Sequence, residues 1–234
     1  MLKYFQRRRK VFMLKVVVFD SGYGGEFFAD KLEEELPIIK VIRVIDWRNA
    51  EKFLTSPKEA RKIAEADLRP YIGRVDLIIF ANHLLSLTSL KYFKNKYRYQ
   101  KFLGFELKKP ETFIKYDILI LTTKAVTKTI TFYNFIFQLK RKVKILTLDT
   151  WPAKIDDGEL TKNEIEETLK RFLYHEKFVP KEIILACSQF NDIKSEIKAV
   201  FGGSIKIYDS FDEAFRKTCK LLKIRGGTGK KATQ

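Results

Sequence analysis

The chain is 234 residues long, with 45% hydrophobic and 14% aromatic residues, enough apolar side chain to bury a core in one large or two small domains and too much for a disordered or low-complexity chain. Its longest apolar runs are strand-sized, which argues against a helix spanning a bilayer, and two cysteines are too few for a disulfide framework or a cysteine-rich zinc site. Lys and Arg number 46 against 29 Asp and Glu, and the net charge of +17 gives the surface an attraction for polyanions and acidic ligands.

The chain opens on Arg7, Arg8, Arg9 and Lys10 ahead of an apolar stretch that Lys15 interrupts and Asp20 ends, with no small-residue cleavage site. This is not the pattern of a secretory signal, so a cytoplasmic protein with a basic N-terminal arm at 1–13 is expected. Short apolar, β-branched runs then predict strands at 16–19, 41–45, 77–81, 118–121, 143–148, 183–186 and 205–208. Helical periodicity at 25–36, 58–72, 86–97, 127–139, 162–174, 193–201 and 212–222 predicts the elements between them. Pro57 behind Ser56 reads as a helix start, and Thr161 with Glu164 as a capping box. The alternation implies an α/β protein whose parallel sheets are covered by helices on both faces, with ligands beyond the carboxyl ends of the strands.

Basic residues cluster at 91–109, where Tyr92, Phe93, Tyr97, Tyr99 and Phe102 are interleaved, at 140–144 and in the tail. Interleaving of this kind suits a single-strand nucleic-acid binder, and suits equally a solvated lysine-rich surface over core aromatics. The glycine-rich stretch at 226–234 lacks the strand-loop-helix context of a phosphate loop and reads as a flexible tail.

Three strand ends carry polar clusters: Asp20-Ser21-Gly22-Tyr23-Gly24-Gly25, Ala81-Asn82-His83 and Ala186-Cys187-Ser188-Gln189. In the first, glycines permit a tight turn and the start of the next helix can receive an anion. The order and spacing of these segments, with Thr122-Thr123 between them and Asp209-Ser210 before the last helix, resemble the aspartate/glutamate racemase superfamily, glutamate racemase above all. The resemblance implies two pseudo-symmetric α/β lobes with a cleft between them, a first lobe at 14–102 completed by 208–225, and a second at 103–207. It also implies a cofactor-independent site without metal, and leaves room for a homodimer.

Racemases of this family invert the α-carbon with two opposed cysteines, and their motif places the first of them at Ala81 and the second at Cys187. A methyl group carries no proton, so the two-thiol mechanism is lost. The family's assisting histidine falls on Gln189, which supplies no charge to the thiol, and its Pro-Tyr-Gly segment falls on Glu51-Lys52-Phe53. Ser21, Gly22, Asn82, Thr123 and Ser188 remain as candidate substrate contacts by similarity, each with a plainer alternative as a cap or loop residue. Asp20, Cys187 and His83 remain as candidate catalytic groups. Cys187 reads either as a single acid or nucleophile or as a small buried hydrophobe, and His83 either as a replacement base titrating near neutrality or as a loop residue. Cys219 reads as core and His175 as solvated.

The resemblance therefore implies a racemase-like protein that holds a small carboxylate or amino acid, with two-cysteine racemisation lost. Its alternatives are a one-cysteine isomerase or decarboxylase using Cys187, and a scaffold binding nucleic acid or an acidic partner through its basic surface.

Overall fold

In the computed structural model residues 13–107, 117–139 and 142–224 are described. The elements run β1 (Leu14–Asp20), α1 (Tyr23–Glu35), β2 (Ile39–Ile45), α2 (Ala50–Thr55), α3 (Pro57–Leu68), β3 (Leu77–Phe80), α4 (His83–Lys96) and β4 (Phe102–Gly104). They continue with β5 (Ile118–Thr122), α5 (Lys124–Thr127), α6 (Ile130–Leu139), β6 (Val143–Thr147), α7 (Trp151–Asp156), α8 (Lys162–Glu176), β7 (Glu182–Leu185), α9 (Lys194–Phe201), β8 (Lys206–Tyr208) and α10 (Ser210–Leu222).

Two four-stranded sheets result, ordered β2-β1-β3-β4 and β6-β5-β7-β8. Every pairing in both is parallel, so the same topology is built twice. The central strands are apolar on both faces because both faces are covered. Val16 and Val18 pack under α1 while Val17 and Phe19 face the layer of α2, α3 and α4. In the second sheet Leu119 and Leu121 meet α7, α8 and α9, and Ile118 and Ile120 meet α5 and α6. The final helix crosses back: Phe211 and Ala214 of α10 join Phe28 and Phe105 in the core of the first sheet. Both N-caps form, Ser56 Oγ accepting the Glu59 N–H and Thr161 Oγ1 that of Glu164, while the Glu164 carboxylate pairs with Lys154 Nζ at 2.7 Å, so of the expected capping box the Thr161 half is seen.

The expected strands and helices all appear, and the differences lie in short elements. β4 and β8 straddle the expected lobe boundaries at 102/103 and 207/208, because β4 pairs with β3 in the first sheet and β8 with β7 in the second. The basic arm at 1–12, the residues 108–109 and 140–141, and the tail from 225 lie outside the described residues. Within 91–107, Phe93 and Phe102 are core residues. Tyr92 lies beneath the Arg61 guanidinium at 4.8 Å, and the Tyr92 and Tyr97 hydroxyls bond Glu65. Tyr99 is 74% exposed and meets the Tyr97 ring edge to face at 6.4 Å. No helix among the described residues is long and apolar enough to cross a membrane.

Candidate active site

Parallel strands deliver their carboxyl ends to one edge of each sheet, and in this chain the two edges face each other. Asp20 ends β1, and its carboxylate spans the gap. One oxygen, Oδ1, accepts the Ser21 N–H at 2.7 Å and Asn82 Nδ2 at 3.1 Å; the other, Oδ2, accepts Ser188 Oγ from the second lobe at 3.3 Å. Asn82 therefore does two things: its amide donates to Asp20 and Ser21, while its Oδ1 accepts the Leu85 N–H and caps α4. Ser21 makes no cap, the N-cap of α1 being Gly22, and Thr123 precedes α5 without a side-chain cap bond.

The glycines of the first turn exist for this contact. A Cβ on Gly24 would stand 2.3 Å from Ser188 Cβ and 2.9 Å from the Ser188 backbone, and one on Gly22 would meet Gln189 Nε2 at 2.5 Å and Asp156 Oδ2 at 2.7 Å. Only a chain without side chains here lets the loop after β7 dock on the start of α1. Because backbone rather than a movable side-chain tip is in the way, Gly24→Ala is expected to destabilise the protein by about 1–3 kcal/mol in urea or thermal unfolding. An unchanged transition midpoint would show that the lobes do not meet at this point.

A cavity of about 100 Å³ lies behind the contact, lined by Ser21, Asn82, His83, Thr123, Cys187 and Ser188 together with Asp156 and Gln189. Asp20 sits against it, fully buried, and Gly22 supplies the close approach rather than a wall. Ala81 is not part of this lining. The Ala81 N–H donates to Phe19 O, as the Ala186 N–H donates to Leu121 O, so Ala81 stands level with Ala186, one residue short of the Cys187 position. Its methyl group belongs to the core of the first sheet. The wall facing Cys187 is thus built by Asn82 and His83, not by the position that the motif assigns to a first thiol. Cys219, the other cysteine, packs against that same first core in α10 and is remote in role from the cavity. Phe53 of the Glu51-Lys52-Phe53 segment is likewise core, while the neighbouring Ala50 reaches the cavity.

The charges in the cavity are set by burial. Burial pushes Asp20 up to about 7, partly offset by the bonds from Ser21 and Asn82, and pushes Asp156 up to about 6. Burial also drives the Cys187 thiol up to about 12, with the carboxylates of Asp20 and Asp156 acting in the same direction, so the thiol is protonated at neutral pH. Its Sγ–H donates to Gln189 Oε1 at 3.1 Å. His83 does not titrate near neutrality. Its Nε2 lies 2.6 Å from Ser210 Oγ, whose own hydroxyl donates to Glu106 O, and burial pulls the imidazole down to about 3. A ring locked neutral in this way is a hydrogen-bonding wall, which corrects the expectation of a replacement base.

Asp156 is the member that the sequence pattern did not flag. It lies at the end of α7, accepts the Tyr23 N–H at 3.2 Å and receives Gln189 Nε2 at 3.5 Å, so it joins the two lobes as Asp20 does. Pro152, in the first turn of that six-residue helix, was the available signal. No group of three or more His, Cys, Asp or Glu able to hold a metal occurs among the described residues.

No family model matches the chain. Among curated proteins it is 24% identical over 221 residues to glutamate racemase of Buchnera aphidicola, covering 88% of this chain and 84% of that one. It is 23% identical over 214 residues to glutamate racemase of Aliivibrio fischeri, covering 88% and 80%. Among solved structures, Escherichia coli glutamate racemase in complex with L-glutamate and the activator UDP-MurNAc-Ala superposes with a TM-score of 0.74 at 21% identity, covering 94% of this chain and 86% of that one. Picrophilus torridus aspartate racemase gives 0.61 at 14% identity, covering 91% and 96%. The fold is the two-lobed fold of glutamate and aspartate racemases, and sequence similarity along 88% of the chain supports its assignment to their superfamily.

Proposed function

We propose that this protein holds a small carboxylate or amino acid in the cavity between its lobes and has lost two-thiol racemisation. The observation that carries the reading is the composition of the cavity wall: hydroxyls and an amide from both sheets, Ser21, Asn82, Thr123 and Ser188, surround one protonated thiol, with Asn82 and His83 opposite it. Two-base inversion needs one group to remove the α-proton and another to return one on the far face. With a single thiol held in its acid form, the removal step has no thiolate to perform it.

The test is α-proton exchange in D₂O on both enantiomers of glutamate and aspartate, alongside calorimetric binding of the same ligands. Binding with exchange at least ~10²-fold below that of an intact two-cysteine racemase is expected, that being the lower range for loss of a general acid or base. Exchange at the full rate would defeat the reading.

The one-cysteine alternative has an observation of its own. A thiol kept protonated on a cavity wall suits proton donation to a carbanion or enediolate, as a decarboxylating or isomerising enzyme requires, and Asp156 near pH 6 is poised to take a proton. Release of carbon dioxide from a malonate-type acid, abolished by Cys187→Ala, would move the assignment to this class.

A further inference from the structure

Of the described helices α1–α10, α6 alone carries no charged side chain. Its inner face, Phe132, Phe135 and Leu139, packs into the core of the second lobe. Its outer face is apolar as well: Ile130, Tyr133 and Phe137, at i, i+3 and i+7, are 75%, 65% and 82% exposed. A helix that is apolar all round belongs in a covered position, and three large side chains in one stripe form a patch rather than scattered surface residues.

Beside this ridge lies a hollow of about 670 Å³ between α4 and the start of α6, with Leu84, Leu87 and Ala125 in its walls. Ile130 belongs to both, lining the hollow and beginning the ridge. Thr131 Oγ1 donates to Leu87 O at 3.0 Å and so ties the start of α6 to α4. The rim carries both signs of charge, Lys124 and Lys128 with Asp149, in a chain whose net charge is +17.

We propose that a second copy of this chain covers the face, across a twofold axis that passes between Tyr133 and Asn134 of α6. An isologous contact needs a surface complementary to itself, and here projection and recess lie side by side on one chain. Ile130 and Phe137 stand about 10 Å apart along the helix, at 1.5 Å per residue. The axis sets the two α6 helices antiparallel and brings Phe137 of each copy opposite Ile130 of the other, at the mouth of that copy's hollow. Two chains of +17 repel each other over most approaches, and the uncharged ridge with its mixed rim is a face on which they can meet. The three side chains expose about 400 Å² on each copy at the size of such residues. Two copies thus bury about 800 Å² from these alone, and Asn134, Gln138 and the walls of the hollow bring the total near the low end of the roughly 1,200–2,000 Å² of stable interfaces. The dimer is therefore reversible and depends on concentration.

Sedimentation equilibrium of the full chain over a range of concentrations, at about 0.1 M and about 0.5 M salt, tests this. A monomer–dimer equilibrium is expected, with more dimer at the higher salt, because salt screens the repulsion between two chains of +17 and leaves the apolar contact in place. Phe137→Ser is expected to weaken dimerisation about a hundredfold, each of the two lost rings costing about tenfold as a buried aromatic anchor. Phe137→Leu, which keeps the ridge apolar, is expected to weaken it much less. Phe137 lies outside the core, so the thermal midpoint of the monomer should stay where it is in both variants. Mixing a Phe137→Cys chain with an Ile130→Cys chain under mild oxidation is expected to give a cross-linked pair that neither variant forms alone. A chain that stays monomeric at both salts, a dimer that Phe137→Ser leaves intact, association that salt weakens, or cross-linking no greater in the mixture than in either variant alone would each overturn the inference.

Discussion

Cys187 is expected to react with iodoacetamide near neutral pH about a thousandfold more slowly than an unperturbed cysteine. The thiolate is the reacting species, and moving the thiol from its ordinary range to about 12 lowers the thiolate fraction at pH 7.5 by at least that factor. Burial is the first cause, and the two carboxylates add to it, so the slow rate is a property of the cavity rather than of access alone. Peptide mapping should show Cys219, which is half-buried, labelled before Cys187. A small dicarboxylate should slow Cys187 further by filling the cavity. Gln189→His should speed it, because Gln189 Oε1 accepts the Sγ proton and an imidazolium in that place would favour the thiolate. Asp156→Asn should speed it by less, since it removes a neighbouring charge and leaves the burial. Rapid labelling of Cys187 that no carboxylate slows would place the thiol outside the cleft and end both the ligand-binding and the one-cysteine readings.

The parts of this site that a sequence can reveal are those carried by local pattern. Asp20, Ser21, Asn82, Thr123, Cys187 and Ser188 each follow a short apolar run, and in a parallel sheet that position fixes the edge they occupy. The seven strands longer or more apolar than their surroundings were legible for the same reason, whereas β4, three residues of Phe-Leu-Gly in a Lys- and Tyr-rich stretch, shows no period to read. Asp156 was hidden in a six-residue helix, too short for an amphipathic signature, although Pro152 marked its start. The state of His83 was hidden for another reason. Its neutrality comes from burial, and the groups packed on it there, Phe105 and Ser210, are brought from 22 and 127 residues away by β4 and α10, so no local pattern contains them. The placement of Ala81 is also a matter of register: alternation along β3 turns its methyl into the first core beside Val18 and Leu103, while the motif alone sets it opposite Cys187.

Asp20→Asn is expected to stabilise the protein at pH 8 and to do so much less at pH 4. An unfolded chain ionises this carboxyl near 3.8, and the folded chain holds its proton until about 7. Between those values the native state binds a proton that the unfolded state has lost, so the stability contributed by this group falls as pH rises from about 4 to about 7 and is level above that. Each pH unit of that interval is worth about 1.4 kcal/mol, which sets an upper bound of about 4 kcal/mol at pH 8. Asparagine retains the hydrogen bonds that the site needs. Its Oδ1 can accept the Ser21 N–H and Asn82 Nδ2 as Asp20 Oδ1 does, and its Nδ2 can donate to Ser188 Oγ, whose proton then turns to Gln189 Oε1, 3.1 Å away. Asp156, raised to about 6 by burial, adds pH dependence of the same sign, so the wild-type curve should remain sloped after the change, and the measurement that isolates Asp20 is the difference between wild type and variant. Urea unfolding at pH 4, 6 and 8 supplies it. A difference that stays constant across the three pH values would mean that Asp20 is ionised throughout, and that the inner cavity carries a fixed negative charge which a carboxylate could enter only with a compensating cation.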